Sequence, residues 1–296
     1  METHLFSGTG VALVTPFTDE GAVDFYSLSK IVNHVVSGNV DYLVVLGTTG
    51  ESVVLSKDEK DAVIDHILKV NNGNCPVVLG IGGNNTSALV AQIEAQDFFG
   101  ISGILSVSPY YNKPSERGIY SHYQAIADVC PVPIILYNVP GRTGSMISPE
   151  TTLSLAEDFK NIVAIKEASG NFDAIMEIIR NKPKDFAVIS GDDALALPTM
   201  ALGAKGLISV IANGFPSKVS SMIRFGLEGD FVAGRQIHYE LIELINYIFH
   251  DGNPSGIKAV LNHLKLAEKF VRLPLVPVRR KTEQKIQELC SKILLA

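Results

Sequence analysis

Between residues 10 and 212 a short apolar, β-branched run recurs eight times, mostly ending at or just before Gly, Pro, Ser, Thr or Asn, and an amphipathic stretch then leads to the next run. The runs cover 10–16, 41–47, 76–82, 103–109, 133–139, 162–167, 186–191 and 206–212. Each is continuously apolar rather than alternating, which is the pattern of strands covered on both faces. The stretches at 24–37, 56–71, 86–99, 116–129, 148–159, 171–180 and 194–202 are predicted crossover helices. Two carry N-terminal signals: Ser56 with Glu59 three residues later, and Ser148 followed by Pro149. Eight βα units predict a closed (β/α)8 barrel, the TIM-barrel architecture, whose usual length is about 250 residues. A doubly wound open sheet would carry a glycine-rich dinucleotide loop after its first strand, and that turn here reads TPFTDEG.

Beyond residue 216 the strand pattern stops, and 219–227, 231–249, 254–264 and 279–295 read as helices. The expected organisation is a barrel over 1–226 and a helical appendix over 227–296 packed on it, with PLVPV at 274–278 a stiff connector. A hydrophobic fraction of 46% with 19% charged residues excludes a disordered chain, and a net charge of −6 offers no basic footprint for nucleic acid or an anionic membrane. Cys75, Cys130 and Cys290 are too few and too scattered for a disulfide framework or a CxxC site. The His residues show neither HxH nor HExxH spacing, so no metal site is expected. No apolar run approaches the ~18 residues of a membrane-spanning helix, and the first residues lack a basic-then-apolar leader, so the expected location is the cytoplasm.

A barrel of this kind does its chemistry at the C-terminal ends of its strands. That address collects Thr48, Thr49, Tyr110, Tyr111, Tyr137, Arg142, Lys166, Glu167, Gly191 and Asp192. Lys166 is the sharpest of them, because IVAIKEASG sets an amine at the end of an apolar strand. Desolvation there disfavours the ammonium and makes a neutral amine accessible for attack on a carbonyl. The alternative is a lysine paired with a carboxylate, though Glu167, its neighbour on the strand, points to the opposite face. Tyr137 ends the preceding run and reads either as a phenol that moves protons beside that amine or as a core aromatic. Arg142 reads as a fork for a substrate carboxylate or as a surface ion-pair partner, and Thr48 and Thr49 as ligands and relay hydroxyls or as turn stabilisers. GIGGNNT at 80–86 lacks a third glycine and reads as a tight turn.

Together GTTGES, SPYYNKPS, LYNVPGRTG, IKEASGN, ISGDDA and GLISVIAN, in that order, resemble the signature segments of the dihydrodipicolinate synthase/N-acetylneuraminate lyase family, and the likeness runs from about Gly8 to Val278. The resemblance implies a homotetrameric barrel that condenses or cleaves pyruvate through a lysine Schiff base without a metal or organic cofactor. It implies Lys166 as the Schiff-base lysine, Tyr137 as the proton-transfer tyrosine, and Thr49 as the relay between Tyr137 and Tyr111, with Tyr111 reaching across a dimer interface. Thr48 and Thr49 would hold the pyruvate carboxylate, and Gly191 and Ile208 would line the pocket. The RTG after YNVPG is similar to the synthase branch, where the residue matching Arg142 binds the carboxylate of L-aspartate 4-semialdehyde. The competing expectations are a sugar-acid aldolase of the same family and a barrel turned to binding or regulation. At the position where lysine-inhibited synthases carry a regulatory glutamate stands Ala88, with Asn84 and Tyr110 retained and Lys57 and Lys60 nearby. Weak or absent inhibition by lysine is the expectation, since a cationic effector would lack its anion.

Overall fold

The computed structural model describes residues 5–295. Its strands are β1 (Gly8–Ala12), β2 (Tyr42–Val45), β3 (Val77–Gly80), β4 (Gly103–Val107), β5 (Ile134–Asn138), β6 (Ile162–Glu167), β7 (Ala187–Ser190) and β8 (Gly206–Ser209). They pair in chain order as one closed parallel barrel, β8 returning to β1 with Gly8 opposite Gly206 and Val11 opposite Ser209. Around them run α1 (Phe25–Ser37), α2 (Lys57–Asn71), α3 (Thr86–Ala95), α4 (Glu116–Val129), the short α5 (Pro140–Thr143), α6 (Pro149–Asp158), α7 (Phe172–Asn181) and α8 (Ala196–Ala201). α9 (Pro216–Glu228) completes the ring, and α10 (Phe231–His250), α11 (Ser255–His263) and α12 (Arg280–Leu295) follow it. The (β/α)8 architecture expected from the strand grammar is therefore the observed one. α9 runs to Glu228, so position 226 falls inside its last turn.

The apolar runs are continuous because every strand has two covered faces. Inside the barrel, Ala12, Tyr42, Val44, Val78, Leu105, Ile135, Ala164, Ile189 and Ile208 form one cluster, floored by Phe6. Between strands and helices a larger cluster includes Val11, Leu43, Leu79, Ile104, Leu136, Ile165, Val188 and Leu207. Full burial of each such Leu, Ile or Val is worth about 1.5–3 kcal/mol relative to exposure. The barrel interior is filled to contact: a Cβ on Gly10 would stand 2.2 Å from the Tyr42 ring, so only glycine fits opposite that tyrosine.

Several boundaries expected from sequence are met by their caps. Ser56 Oγ accepts from the Glu59 amide at 3.2 Å while Glu59 returns to the Ser56 amide at 2.9 Å, and Ser148 Oγ accepts from the Thr151 amide at 3.1 Å. Several strands end two or three residues before the expected bound and α9 begins three before it; two further boundaries differ for a visible reason. β1 ends at Ala12 rather than at residue 16, because the Asn213 side chain takes the Ala12 carbonyl and the Val14 amide and draws the chain out of the ladder. α3 ends at Ala95 rather than at residue 99, where Asp97 accepts from the Phe99 amide at 2.9 Å and Gly100 adopts φ +77°. All three cysteines are buried free thiols. No helix among the described residues is long and apolar enough to cross a membrane.

Candidate active site

β5 and β6 run side by side with Tyr137 in register with Lys166. Both side chains point into the barrel, as the parity of their strands requires, and both are buried. The Lys166 Nζ stands over the face of the Tyr137 ring, 4.3 Å from its centroid. That cation–π contact is its interaction among the described residues; no carboxylate there pairs with it. Glu167 points the other way, accepting from Asn138 Nδ2 at 2.9 and 3.2 Å and from the Ser169 amide at 2.8 Å, and burial pushes its carboxyl above the ordinary range. The ion-pair alternative for Lys166 with its sequence neighbour is thus not what the barrel builds.

Gly191, after β7, lies against this lysine. A Cβ there would come within 2.9 Å of Lys166 Cε and 2.7 Å of Ala168 Cβ, so the absence of a side chain is what leaves the amine its room. The Gly191 amide is already given to the Glu167 carbonyl at 2.7 Å. Ile208 on β8 is buried in the barrel interior in the cluster that contains Tyr137. Asp192 accepts from the Ala194 amide at 2.8 Å and so stabilises the turn into α8.

The loops after β4 and β5 are stitched together above Lys166. The Tyr111 amide donates to the Thr143 carbonyl at 3.3 Å, and Ser145 Oγ donates to the Pro109 carbonyl at 3.2 Å. Asn138 fixes the far end of the second loop, accepting from the Ile147 amide at 3.0 Å. Arg142 stands exposed on this loop, and Tyr111, at φ +72°, is 89% exposed. A large aromatic held in so open a position by its backbone is unusual for a soluble surface. Asn84 Nδ2 donates to the Tyr110 carbonyl at 3.2 Å, which joins those two residues, while Ala88 is exposed on α3.

After β2 the chain makes a 3-10 turn, Thr48–Gly50, that separates the two threonines: Thr48 is exposed and Thr49 buried. Thr49 Oγ1 accepts from Asn253 Nδ2 at 3.0 Å. Glu51, two residues on, adopts φ +53° and is buried against Lys258 Nζ at 2.5 Å. Neither Asn253 nor Lys258 is expected from sequence to belong near these strands. The NPSG segment signals a turn into a helix and carries no mark of what that turn faces. Asp193 is also new: wholly buried, it accepts from Ser209 Oγ at 2.5 Å and from the Val210 amide at 2.9 Å, and burial pushes its carboxyl up to about 6. It braces the end of β8 below the mouth.

Among the described residues no group of three or more His, Cys, Asp or Glu side chains is placed to hold a metal ion; His4 lies outside them. What the mouth does hold is a buried amine without a carboxylate, a phenol against it and an exposed guanidinium above. Such a set can condense an amine with a carbonyl and shuttle the protons that this requires.

A sequence model of the dihydrodipicolinate synthetase family matches residues 5–293. The chain belongs to this family. A 4-hydroxy-tetrahydrodipicolinate synthase of Flavobacterium psychrophilum is 54% identical over 273 residues, 92% of this chain and 93% of that protein. The enzyme of the same name from Parabacteroides distasonis is 50% identical over 97% of this chain and 96% of its own. Among solved structures, dihydrodipicolinate synthase from Aquifex aeolicus superposes with a TM-score of 0.94 at 43% identity, covering 98% of this chain and 99% of that one. Membership of the dihydrodipicolinate synthetase family makes the protein a lyase on a TIM barrel, as the strand-end residues led one to expect.

Proposed function

We propose that this protein is a 4-hydroxy-tetrahydrodipicolinate synthase, condensing pyruvate with L-aspartate 4-semialdehyde through an imine on Lys166, a step of lysine and diaminopimelate synthesis. The observation that carries the reading is the amine itself: buried at the end of β6, 4.3 Å from the Tyr137 ring centroid. The neutral Lys166 Nζ attacks the keto carbon of pyruvate, and the carbinolamine loses water to leave the imine. Tyr137, against the amine, gives and takes the protons of that dehydration, which is general acid and base work. Loss of a methyl proton turns the imine into an enamine, whose carbon adds to the aldehyde. Thr49 and Tyr111 complete the proton path, and Thr48 with Thr49 receives the pyruvate carboxylate. Arg142, exposed above the mouth, clamps the semialdehyde carboxylate with its fork.

The sugar-acid aldolase reading is weaker, because a polyhydroxy tail needs several hydroxyl partners whereas a small acidic aldehyde needs one strong cation. In the proposed assembly, a homotetramer in the cytoplasm, a second copy covers Tyr111 and borrows it. Asn84 and Tyr110 are adjacent, but Ala88 supplies no anion, so lysine is a poor effector here.

The test is borohydride reduction in the presence of pyruvate, read by intact mass and peptide mapping, beside turnover with aspartate semialdehyde or N-acetylmannosamine. Label on Lys166 with turnover of the semialdehyde, little changed by millimolar lysine, is the expected result. Label with turnover of the amino sugar alone would transfer the protein to the aldolase branch, and no label would end the Schiff-base reading.

A further inference from the structure

Asn253 and Lys258, both from the C-terminal region, meet the barrel at the turn that carries Thr49. We propose that Asn253 is a positioning residue for proton transfer, fixing the direction of the Thr49 hydroxyl, and that the C-terminal helical region is thereby a working part of the active site. The inference rests on the reading that Thr49 relays protons.

Asn253 Nδ2 donates to Thr49 Oγ1 at 3.0 Å across 204 residues of sequence, and both side chains are buried. A threonine hydroxyl has one proton to give and two lone pairs to offer, while an amide nitrogen only donates. One lone pair of Thr49 is therefore occupied by Asn253, and the hydroxyl proton must point elsewhere. Thr49 is left as a donor with one free lone pair, which is the pair of capacities a relay member needs. A carbonyl or carboxylate in the same place would take the proton and remove Thr49 from the path. Asn253 Oδ1, in turn, is buried without a hydrogen-bond partner. An orphaned acceptor of that kind is costly, and it persists where something other than stability holds the residue in place.

Both ends of the contact are clamped. On the Thr49 side, Thr15 Oγ1 donates to the Gly50 carbonyl at 2.7 Å, and Glu51 meets Lys258 Nζ at 2.5 Å and the Arg272 amide at 3.1 Å. On the Asn253 side, the Lys258 amide donates to the Pro254 carbonyl at 3.0 Å, so the lysine that grips Glu51 also closes the first turn after Asn253. Lys258 Nζ stands 4.1 Å from the centroid of the Phe17 ring, and Arg272 Cζ 4.5 Å from it. The Thr49–Asn253 bond thus spans two segments that a buried ion pair already holds at fixed separation, and its geometry is preorganised.

The experiment compares Asn253→Asp, Asn253→Ala, Thr49→Val and the double variant Thr49→Val/Asn253→Asp in the coupled assay across pH, with borohydride trapping and thermal melting alongside. Asn253→Asp keeps the shape and reverses the bond, so kcat should fall roughly tenfold or more and its pH profile should change, while the neutral Asn253→Ala keeps the KM for pyruvate within about threefold of the parent. Asn253→Ala should lose less, and it carries the test if the Asp variant does not fold. In the Thr49→Val background Asn253→Asp should cost nothing further, because its target is gone. Parent-like kcat in both Asn253 single variants, or the same fold loss with and without Thr49, would overturn the proposal, while a fall in kcat of Thr49→Val with imine still trapped would leave the relay reading intact. No imine in the parent would bring down both.

Discussion

Among the described residues two lysines are buried, one in the barrel mouth and one in the seam between barrel and C-terminal helices. Lys166, at the end of β6, has the face of Tyr137 beside it and, among the described residues, no carboxylate. Lys258, on α11, is fully buried with its ammonium given to Glu51 at 2.5 Å and to the Phe270 carbonyl at 2.8 Å, over the ring of Phe17. Burial pushes the Lys258 ammonium down to about 8, although Glu51 pulls the other way. Yet its protons are committed to fixed acceptors, Glu51 Oε1 and the Phe270 carbonyl. Burying an amine does not by itself make a nucleophile. What distinguishes the mouth is that the amine has room and no anion, while the seam spends its amine on holding Glu51, and through Glu51 the turn of Thr49.

The sharpest way to break this comparison is to remove each amine with the same apolar chain. Lys166→Met should lower turnover on the order of 10³-fold or more and abolish the borohydride label. Its melting temperature should hold or rise, since an apolar chain replaces a buried amine that has no hydrogen-bond partner among the described residues. Lys258→Met should do the reverse in stability: Glu51 is left buried and unpaired, at a cost of about 3–5 kcal/mol in denaturant unfolding. Similar profiles for the two would erase the distinction. Gly191→Ala places a methyl 2.9 Å from Lys166 Cε and should cut kcat/KM up to about 10²-fold by displacing the amine, with the fold retained.

The smallest effect concerns a buried base that no charge partners. His122 on α4 is 3% exposed, its Nδ1 2.8 Å from Thr86 Oγ1 and its Nε2 without a partner, and burial pushes it down to about 4. Its folded value lies below its unfolded one near 6.5, so the unfolded chain binds the extra proton. The stability this contributes is whole above about pH 6.5 and is lost as pH falls toward about 4; at pH 5 the loss is about 2 kcal/mol. Denaturant unfolding of His122→Gln should show that pH slope removed.

Most of the strand-end set is legible in the amino-acid sequence itself. The parity of a strand places Lys166 inward and Glu167 outward, and register with β5 then brings Tyr137 beside Lys166. Thr48 and Thr49 are a different case, because two adjacent hydroxyls look equivalent in a sequence and only the 3-10 turn sends one to solvent and one to the interior. The ends of β1 and α3 depart from the sequence pattern for a similar reason: a side chain from elsewhere, Asn213, and a local one, Asp97, capture backbone groups that periodicity assigns to the element.

The alternation of buried strands and amphipathic helices specified the barrel, its closure and the chemical set at its mouth, because periodicity is a local property and the strand ends of a closed barrel converge wherever the chain passes. Tertiary structure alone decided the long-range polar partners. Thr49 meets Asn253, Glu51 meets Lys258, and the Glu59 carboxylate, held at about 2 by Arg272, ties α2 to the segment beyond α11. These pairs join residues some two hundred positions apart, and no local pattern marks them. They exist because a polar group covered by docking helices is stabilised only by a complement that the fold brings within reach.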